Sequence, residues 1–289
     1  TRRHVTVALS GDGGDELFAG YERYLADRYL HNLASMPEAA RKKILAPALG
    51  AASKPLRGRL SHRLSQLSEL APYSDAQRHL NWLSFFTEQE KDSLFSADFA
   101  ASVRGVLSSE IMQRRYDESE GNNRDFTARQ LLVDFLTYLP ETVLMKVDRA
   151  SMACSLEVRC PLLDTRIIEL ALSIPGGMKI ARNTTKRILK EALRGTLPDD
   201  ILDRRKQGFE VPLNAWFRGP LRDALHDYLT DGTAKARGIF NPQAVESLID
   251  EHLAEKRDNR HRLWILLNIE LWFRTFMDGP APAEPKRLL

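Results

Sequence analysis

The sequence predicts a mostly α-helical fold that begins with one short strand of a parallel sheet. Residues 4–9 (HVTVAL) are rich in β-branched and apolar types, which is typical of a buried strand. Beyond them apolar residues recur mainly at helical spacing, and few runs resemble further strands. Since a lone parallel strand cannot pair its backbone groups, we expect its partner strands to lie outside these 289 residues, in a longer protein.

The composition is that of an ordinary globular protein, with 43% hydrophobic and 28% charged residues. The net charge of +3 is too small to indicate nucleic-acid binding through the electrostatic field alone. Cys154 and Cys160 have no clustered histidine, which argues against a disulfide framework or a zinc site and suits a reducing cytoplasm. Because no run of 18 apolar residues occurs, no membrane span is predicted.

A polar loop directly follows the predicted strand. Residues 10–16 (SGDGGDE) contain three glycines and the carboxylates of Asp12, Asp15 and Glu16. This spacing lets the three carboxylates project into one small volume, where they repel unless a cation lies among them. Mg²⁺ that carries a nucleotide phosphate would fit, since one or two carboxylates and phosphate oxygens usually hold it. The loop matches neither a Walker A nor a dinucleotide motif, and an Asp/Gly-rich turn that caps a helix is the alternative.

The helices are predicted from apolar spacing and from breaker residues. They cover 17–34, 75–86, 88–95, 97–103, 126–138, 164–172, 186–193, 213–230, 241–256 and 261–277, with a polar loop over 115–125. Pro140 should end the helix over 126–138, and Thr184 or Thr185 should cap the helix that begins at Lys186. Residues 1–278 are expected to form one partial domain, and residues 279–289 a disordered tail.

Two charged stretches leave alternatives open. Residues 41–63 include several lysines and arginines but no acidic residue, so they form either a contact for an anionic partner or a solvated helix face with a loop near 50–55. Residues 141–164 read as an apolar helix with charges on both faces, so several of these charges should be partly buried. Either these charged residues form an internal ion network, or some of them line a cleft. The residues concerned are Lys146, Asp148, Arg149, Glu157 and Arg159.

A third polar cluster, residues 204–208 (RRKQG), forms a basic loop with a glycine. Lys206 lies between arginines and Gly208, which suits it to meet phosphate charge in a transition state. A basic turn on the surface is the alternative.

Four segments resemble, in the same order, motifs of one enzyme family. They are 10–21 (SGDGGDELFAGY), 146–153 (KVDRASMA), 155–164 (SLEVRCPLLD) and 205–212 (RKQGFEVP). Together they resemble the synthetase domain of the glutamine-dependent asparagine synthetases, over roughly residues 4–275. The resemblance implies the C-terminal portion of an α/β adenine nucleotide α-hydrolase-like domain, the fold of the PP-loop ATP pyrophosphatases. Since β-lactam synthetases and other amide-forming relatives share these motifs, asparagine is not specified as the product.

The resemblance implies an ATP-dependent ligase. Such an enzyme adenylates a carboxylate, most simply the side chain of aspartate, and releases pyrophosphate. Ammonia from a glutaminase domain then gives asparagine and AMP. ATP and Mg²⁺ are the implied cofactors and small molecules the implied partners, with no role for nucleic acid or membrane; a homodimer stays open.

The family pattern also implies roles for individual residues. Ser10, Gly11, Asp12, Gly13 and Gly14 would bind ATP and the intermediate, Asp15 would hold Mg²⁺, Lys206, Asp12 and Glu141 would act at the reacting centre, and Glu16, Tyr21, Ala153 and Val158 would line the ammonia route. Asp12 departs from the glutamate that is common at this position, a conservative change.

Two features of the family are absent from this sequence. Neither the pyrophosphate-binding loop Ser-Gly-Gly-x-Asp-Ser nor the glutaminase domain with its cysteine nucleophile occurs. We therefore expect the chain, by itself, to have little or no activity. A relative that amidates or cyclises another carboxylate, and a helical binding module without catalysis, are the alternatives.

Overall fold

A computed structural model of the chain describes residues 1–33, 36–56, 59–120, 124–204, 208 and 211–279. The strands are β1 (Val7–Leu9) and β2 (Glu157–Arg159). The helices in chain order are α1 (Gly14–Phe18), α2 (Glu22–Asn32), α3 (Glu38–Ala40), α4 (Ala46–Ser53), α5 (Arg59–Leu70), α6 (Asp75–Leu83), α7 (Glu88–Leu94), α8 (Ala97–Ser102), α9 (Ser108–Glu118), α10 (Phe126–Leu136), α11 (Met145–Ala153), α12 (Thr165–Ser173), α13 (Gly176–Lys179), α14 (Arg187–Leu193), α15 (Asp199–Leu202), α16 (Leu213–Arg218), α17 (Arg222–Leu229), α18 (Gly232–Ala236), α19 (Pro242–Leu253) and α20 (Arg260–Phe276). Two π-helical segments, Arg41–Leu45 and Leu139–Leu144, and a 3₁₀ turn, Pro161–Leu163, complete the elements.

The chain divides into two compact units. Unit 1 comprises Thr1–Trp82 and Ser109–Gln207, and unit 2 comprises Leu83–Ser108 and Gly208–Leu289. The single domain over residues 1–278 stays a prediction, and the predicted tail lies outside the described residues from position 280 onward.

The predicted strand exists, and its partner comes from a segment that was expected to be helical. β1 pairs in parallel with β2, with Val7 opposite Glu157 and Leu9 opposite Arg159. The expectation of a buried strand is wrong, because Val7 is 37% and Leu9 74% exposed. A mostly helical fold with a short parallel sheet is confirmed.

The helix predicted over residues 17–34 is two helices, α1 and α2. The chain turns between them at Ala19, which has φ 60°, and the Gly20 N–H donates to the Asp15 carbonyl at 2.8 Å. A Cβ atom at position 20 would overlap the Asp15 carboxylate, so only glycine permits this close turn. The break is therefore set by packing against Asp15, which the apolar spacing does not show.

Several other predicted boundaries also differ from the structure. α10 ends at Leu136, but Pro140 then lies in the first turn of the π-helical segment that continues into α11. Lys186, with φ 52°, precedes α14 in place of a threonine cap. Residues 213–230 form α16 and α17 with a break between them, and α9 and α4 extend into the loops expected near 115–125 and 50–55.

The charged residues expected to be partly buried near β2 are exposed, so the expected burial and the internal ion network are wrong, while the alternative that some of them line a cleft stays a prediction. This applies to Lys146, Asp148, Arg149, Glu157 and Arg159. The ion pair between Arg159 Nε and Glu157 Oε1, at 2.7 Å, is itself exposed. α11 packs mainly on the π-helical segment and on β2, which leaves much of its surface open to solvent.

The core of unit 1 holds α1 in place. Leu17 and Phe18 of α1 pack with Ala171 of α12, and α1 also contacts α10 and α14. Asp125 caps α10 by accepting from the Ala128 N–H at 2.8 Å. The loop that precedes α1 is consequently attached to a helix packed on three others.

The core of unit 2 is built from α16, α17, α19 and α20. Phe217, Leu225, Ile249 and Leu263 are fully buried there. Thr87 and Glu90 form a capping box at the start of α7.

Both cysteines are free thiols. In the described part of the chain, no helix is long and apolar enough to cross a membrane.

Candidate functional site

The polar loop after β1 is fixed by hydrogen bonds to β2 and within itself. The Ser10 N–H donates to the Arg159 carbonyl at 2.9 Å, and Ser10 Oγ donates to Asp12 Oδ2 at 2.5 Å. Gly11 is exposed, and a Cβ atom there would meet nothing within 4 Å. The backbone at Gly11 is thus open to a ligand at the carboxyl end of the strand, where parallel sheets usually bind their ligands.

The two following glycines serve internal packing. Gly13 has φ 85°, and a side chain there would overlap Leu163. A Cβ atom at Gly14 would lie 2.8 Å from Leu162 Cδ1. Both glycines are buried, so the loop is pressed against the 3₁₀ turn that follows β2.

Asp15 forms an ion pair that the sequence pattern does not reveal. Lys186 Nζ lies 2.7 Å from Asp15 Oδ1, and both side chains are mostly buried. Lys186 is therefore a cation beside the glycine loop. No periodicity or motif links two residues this far apart in the chain, and only the fold brings them together.

The expectation that the three carboxylates share one small volume is wrong. Asp12 accepts from Ser10, Asp15 pairs with Lys186, and Glu16 accepts from Tyr21. Among the residues that the structure describes, no three His, Cys, Asp or Glu side chains form a group that could hold a metal ion. A Mg²⁺ ion would therefore find fewer than three of these side chains here and would need phosphate oxygens to complete its ligands.

Glu16 and Tyr21 form a second pair beside the loop. Tyr21 Oη donates to Glu16 Oε1 at 2.7 Å, and Glu16 is 1% exposed. Burial raises the pKa of Glu16, and the hydrogen bond from Tyr21 opposes that rise. Burial also raises the pKa of Tyr21, which therefore stays a hydrogen-bond donor.

The other predicted site residues lie on elements that follow or flank this loop. Val158 is half-buried in β2 opposite Ala8, next to the strand that leads into the loop. Glu141 and Ala153 are exposed, Glu141 in the π-helical segment and Ala153 at the end of α11. π-Helical segments often occur at functional sites. Lys206 lies outside the described residues.

A cavity of about 730 Å³ lies in unit 1. Leu25, Leu64 and Trp82 contribute to its apolar wall. Its charged lining residues carry both signs and are Glu22, Arg23, Lys190, Asp203 and Arg204. Arg23 lies two residues after Tyr21, and Lys190 is one helical turn after Lys186. The cavity is consequently lined by the same two helices, α2 and α14, that adjoin the loop residues.

Comparison with known proteins provides the decisive observation. A family model described as asparagine synthase matches residues 1–274. The chain belongs to the asparagine synthase family.

Curated relatives that are named asparagine synthetases align with almost the whole chain. The "Putative asparagine synthetase" (glutamine-hydrolyzing) of Mycobacterium tuberculosis strain H37Rv is 35% identical over an alignment of 296 positions, gaps included, that covers 99% of this chain and 42% of the relative. Asparagine synthetase (glutamine-hydrolyzing) 1 of Bacillus subtilis is 28% identical over 100% of this chain and 44% of the relative. The chain thus spans about two fifths of the length of these curated relatives, at 42% and 44%.

A more distant match is the amidase chry2 of Gibberella zeae, which is 23% identical over 85% of the chain and 38% of the relative. No solved structure matches the chain.

Proposed function

We propose that this chain forms part of an ATP-dependent amide ligase that adenylates a carboxylate and lets ammonia attack it. The proposal rests mainly on the loop at the end of β1, where the open backbone of Gly11 lies close in sequence to the Asp15–Lys186 pair. Membership of the asparagine synthase family supports the same reaction. We further propose that the two-stranded sheet belongs to a PP-loop ATP pyrophosphatase fold, and that the protein works in the cytoplasm.

In this proposal the loop binds the nucleotide. Ser10, Gly11 and Asp12 would contact ATP and the acyl-adenylate, while Gly13 and Gly14 shape the turn. Asp15 would give one carboxylate oxygen to a Mg²⁺ ion that arrives with ATP, and Mg²⁺, when bound, neutralises phosphate charge.

Two lysines would supply positive charge to the phosphates. Lys186, held by Asp15, would face them from the position just before α14, and Lys206 would act at the reacting phosphoryl and acyl centre, as the family pattern implies.

The ammonia would reach the adenylate past Glu16, Tyr21, Ala153 and Val158. The burial of Glu16 and its bond to Tyr21 support a defined, dry wall on this route. Glu141 would act near the reacting amine from the π-helical segment. The ammonia itself would come from glutamine on a glutaminase domain.

Aspartate is the first acceptor to test, and a larger carboxylate is the second. The cavity of about 730 Å³ in unit 1 favours the second candidate, because a volume of this size suits a ligand much larger than an amino acid. Its apolar wall and Lys190 would fit a carboxylate with an apolar body, whereas the charge of Arg23 is already paired with that of Asp134.

The test is carboxylate-dependent exchange of labelled pyrophosphate into ATP by the natural polypeptide that contains this chain. Aspartate and a set of larger carboxylates are compared, and the acceptor that supports exchange identifies the substrate class. We expect Lys186→Met to lower the exchange rate about 10–100-fold, since it removes the charge that orients Asp15. Arg187→Met removes a neighbouring exposed cation and should leave the rate unchanged.

Absence of exchange with every carboxylate would overturn the proposal. Full activity in Lys206→Ala would favour the alternative of a binding module without catalysis.

A further inference from the structure

Arg23 connects the candidate site to a charged cluster in the interior of unit 1. Its Nη2 donates to Asp134 Oδ2 at 2.8 Å, and its side chain is 13% exposed. Its guanidinium carbon lies 4.1 Å from the ring centroid of Tyr21 and 4.8 Å from that of Tyr138. One side chain therefore makes an ion pair and stacks on the tyrosine that binds Glu16.

At the interior end of this connection, Asp134 is held by several hydrogen bonds. Asp134 is fully buried and also accepts from the hydroxyl of Tyr24 and lies 2.8 Å from His79 Nε2. His79 Nδ1 in turn lies 2.9 Å from Tyr116 Oη. Burial alone would raise the pKa of Asp134, but His79 and Arg23 hold this pKa well below its usual range. Asp134 thus stays ionised and provides a fixed charge for Arg23.

At the other end of this connection, near the candidate site, the contact with Glu16 depends on the position of the Tyr21 ring. The ring lies edge-on to Tyr138, with centroids 5.8 Å apart, and beneath the guanidinium of Arg23. In this position the Tyr21 hydroxyl reaches the buried carboxylate of Glu16. Without that donor, Glu16 would lose a hydrogen bond in a place with little solvent, and it would take up a proton or move.

We propose that Arg23 is a positioning residue that, anchored on Asp134, holds Tyr21 against Glu16 and so sets the geometry of the ammonia route. This inference rests on the proposed function, in which Glu16 and Tyr21 line that route. The planar guanidinium is needed because it pairs with Asp134 and stacks on Tyr21 at once, which a lysine cannot do.

The test separates the two half-reactions of the natural polypeptide that contains this chain. Exchange of pyrophosphate into ATP needs the carboxylate but no ammonia, while amide formation with ammonium chloride needs both. We expect Arg23→Met to raise the KM for ammonia about tenfold and to change the exchange rate less than about twofold. Tyr21→Phe should give the same rise, and the double variant should show no further rise, because both changes remove one interaction.

Two variants on the same helix complete the design. Arg28 bonds only to the backbone carbonyl of Ile180 in the described contacts, and Arg28→Met should leave the KM for ammonia unchanged. Arg23→Lys keeps the charge on Asp134 without the stacking plane, and it should fold while its KM for ammonia is still raised. If Arg23→Met does not fold, the test is made with Arg23→Lys alone. A KM for ammonia equal to that of the wild type in Arg23→Lys would overturn the proposal.

The failure of this inference differs from the failure of the proposed function. A wild-type protein without exchange would overturn the function and with it the role of Arg23. Wild-type exchange together with an unchanged KM for ammonia in the Arg23 variants would overturn only the positioning role. A crystal structure of Arg23→Met that keeps Tyr21 Oη within 3 Å of Glu16 Oε1 would do the same, without any assay of activity.

Discussion

Lys179 is fully buried in unit 1, which is unusual for a lysine. Burial lowers its pKa from 10.5 to about 8, and the charge of Asp125 only partly opposes this. The unfolded chain therefore binds a proton more readily than the folded protein between these two pH values. Stability is lost as the pH falls through this window, and the loss is complete below the folded pKa.

We expect Lys179→Met to raise the free energy of unfolding by up to about 3 kcal/mol near pH 7, because it removes the cost of the buried charge. The gain over wild type should shrink towards zero as the pH approaches the unfolded pKa of lysine. Urea denaturation at several pH values measures this difference. Lys43→Met, at an exposed lysine, should show no such trend, and a pH-independent gain in Lys179→Met would contradict the prediction.

Residues of the candidate site were predictable only where they adjoin one another in the sequence. Ser10, Asp15 and Glu16 follow a strand signal, so their place at the end of β1 could be predicted. Lys186 and Arg23 could not, since their partners Asp15 and Asp134 come from distant parts of the chain. The predicted burial of the charged residues around β2 was wrong for a similar reason. The pattern of charges along a helix does not tell which of its faces other elements cover.

At the level of the elements, unit 1 joins α2 and α6 through a buried ion pair. Arg78 Nε lies 2.5 Å from Asp27 Oδ1, and both side chains are fully buried. Arg78 also binds Asp75, and Gln130 of α10 binds Asp27. Removal of one member leaves the other charge buried without its partner, which costs more than the pair itself contributes.

We expect Arg78→Met to destabilise the protein by about 3–5 kcal/mol in urea denaturation. The exposed pair of Arg166 and Asp164 provides a matched control, and Arg166→Met should cost less than about 1 kcal/mol. The double variant Asp27→Asn with Arg78→Met should recover part of the loss, since no unpaired buried charge remains. A loss in Arg78→Met no larger than in the control would contradict this account.

In unit 2 the turn between α19 and α20 is held by a buried histidine. His252 Nδ1 accepts from the Asn259 N–H at 3.3 Å. Burial and then the charge of Arg218 lower the pKa of His252, while Asp258 opposes them. Because the folded pKa lies below that of the unfolded chain, stability is present above the unfolded pKa and lost as the pH falls through the folded pKa.

We expect wild-type stability to fall on acidification below the ordinary histidine pKa, and His252→Asn to reduce that fall. Asparagine retains an acceptor near the position of Nδ1 but does not titrate. His226→Asn, at an exposed histidine, should keep the wild-type pH dependence. Equal slopes of stability against pH in wild type and His252→Asn would show that His252 is not the group responsible.

Helices with local start signals were predicted well, and those set by tertiary contacts were not. α7, with its capping box of Thr87 and Glu90, and α12, capped by Asp164, begin within a residue of the predicted positions. The break between α1 and α2 and the partner strand β2 were missed. The first depends on the Asp15 side chain under Gly20, and the second on a parallel pairing with β1 across a long crossover.

At the scale of the whole molecule, the described sheet has two strands. Apolar side chains at alternate positions in and just before β1 are exposed, and they are those of Val5, Val7 and Leu9. The curated relatives are more than twice as long, since the chain covers 42% and 44% of them. The pyrophosphate-binding loop Ser-Gly-Gly-x-Asp-Ser, which the resemblance to the family implies, does not occur in these 289 residues. The loop after β1 would therefore supply only part of an ATP site.

We expect the 289-residue chain alone to show no aspartate-dependent exchange of pyrophosphate into ATP, at protein concentrations where the natural polypeptide exchanges readily. The reason is that Asp15, Lys186 and Gly11 would provide charge and open backbone for the nucleotide, but the Ser-Gly-Gly-x-Asp-Ser loop that would bind the leaving pyrophosphate is not in this sequence. Circular dichroism of the chain distinguishes an inactive fold from an unfolded one. Exchange by the folded chain at the rate of the natural polypeptide would mean that these 289 residues form a complete ATP site. The inference that they supply only part of that site would then be wrong.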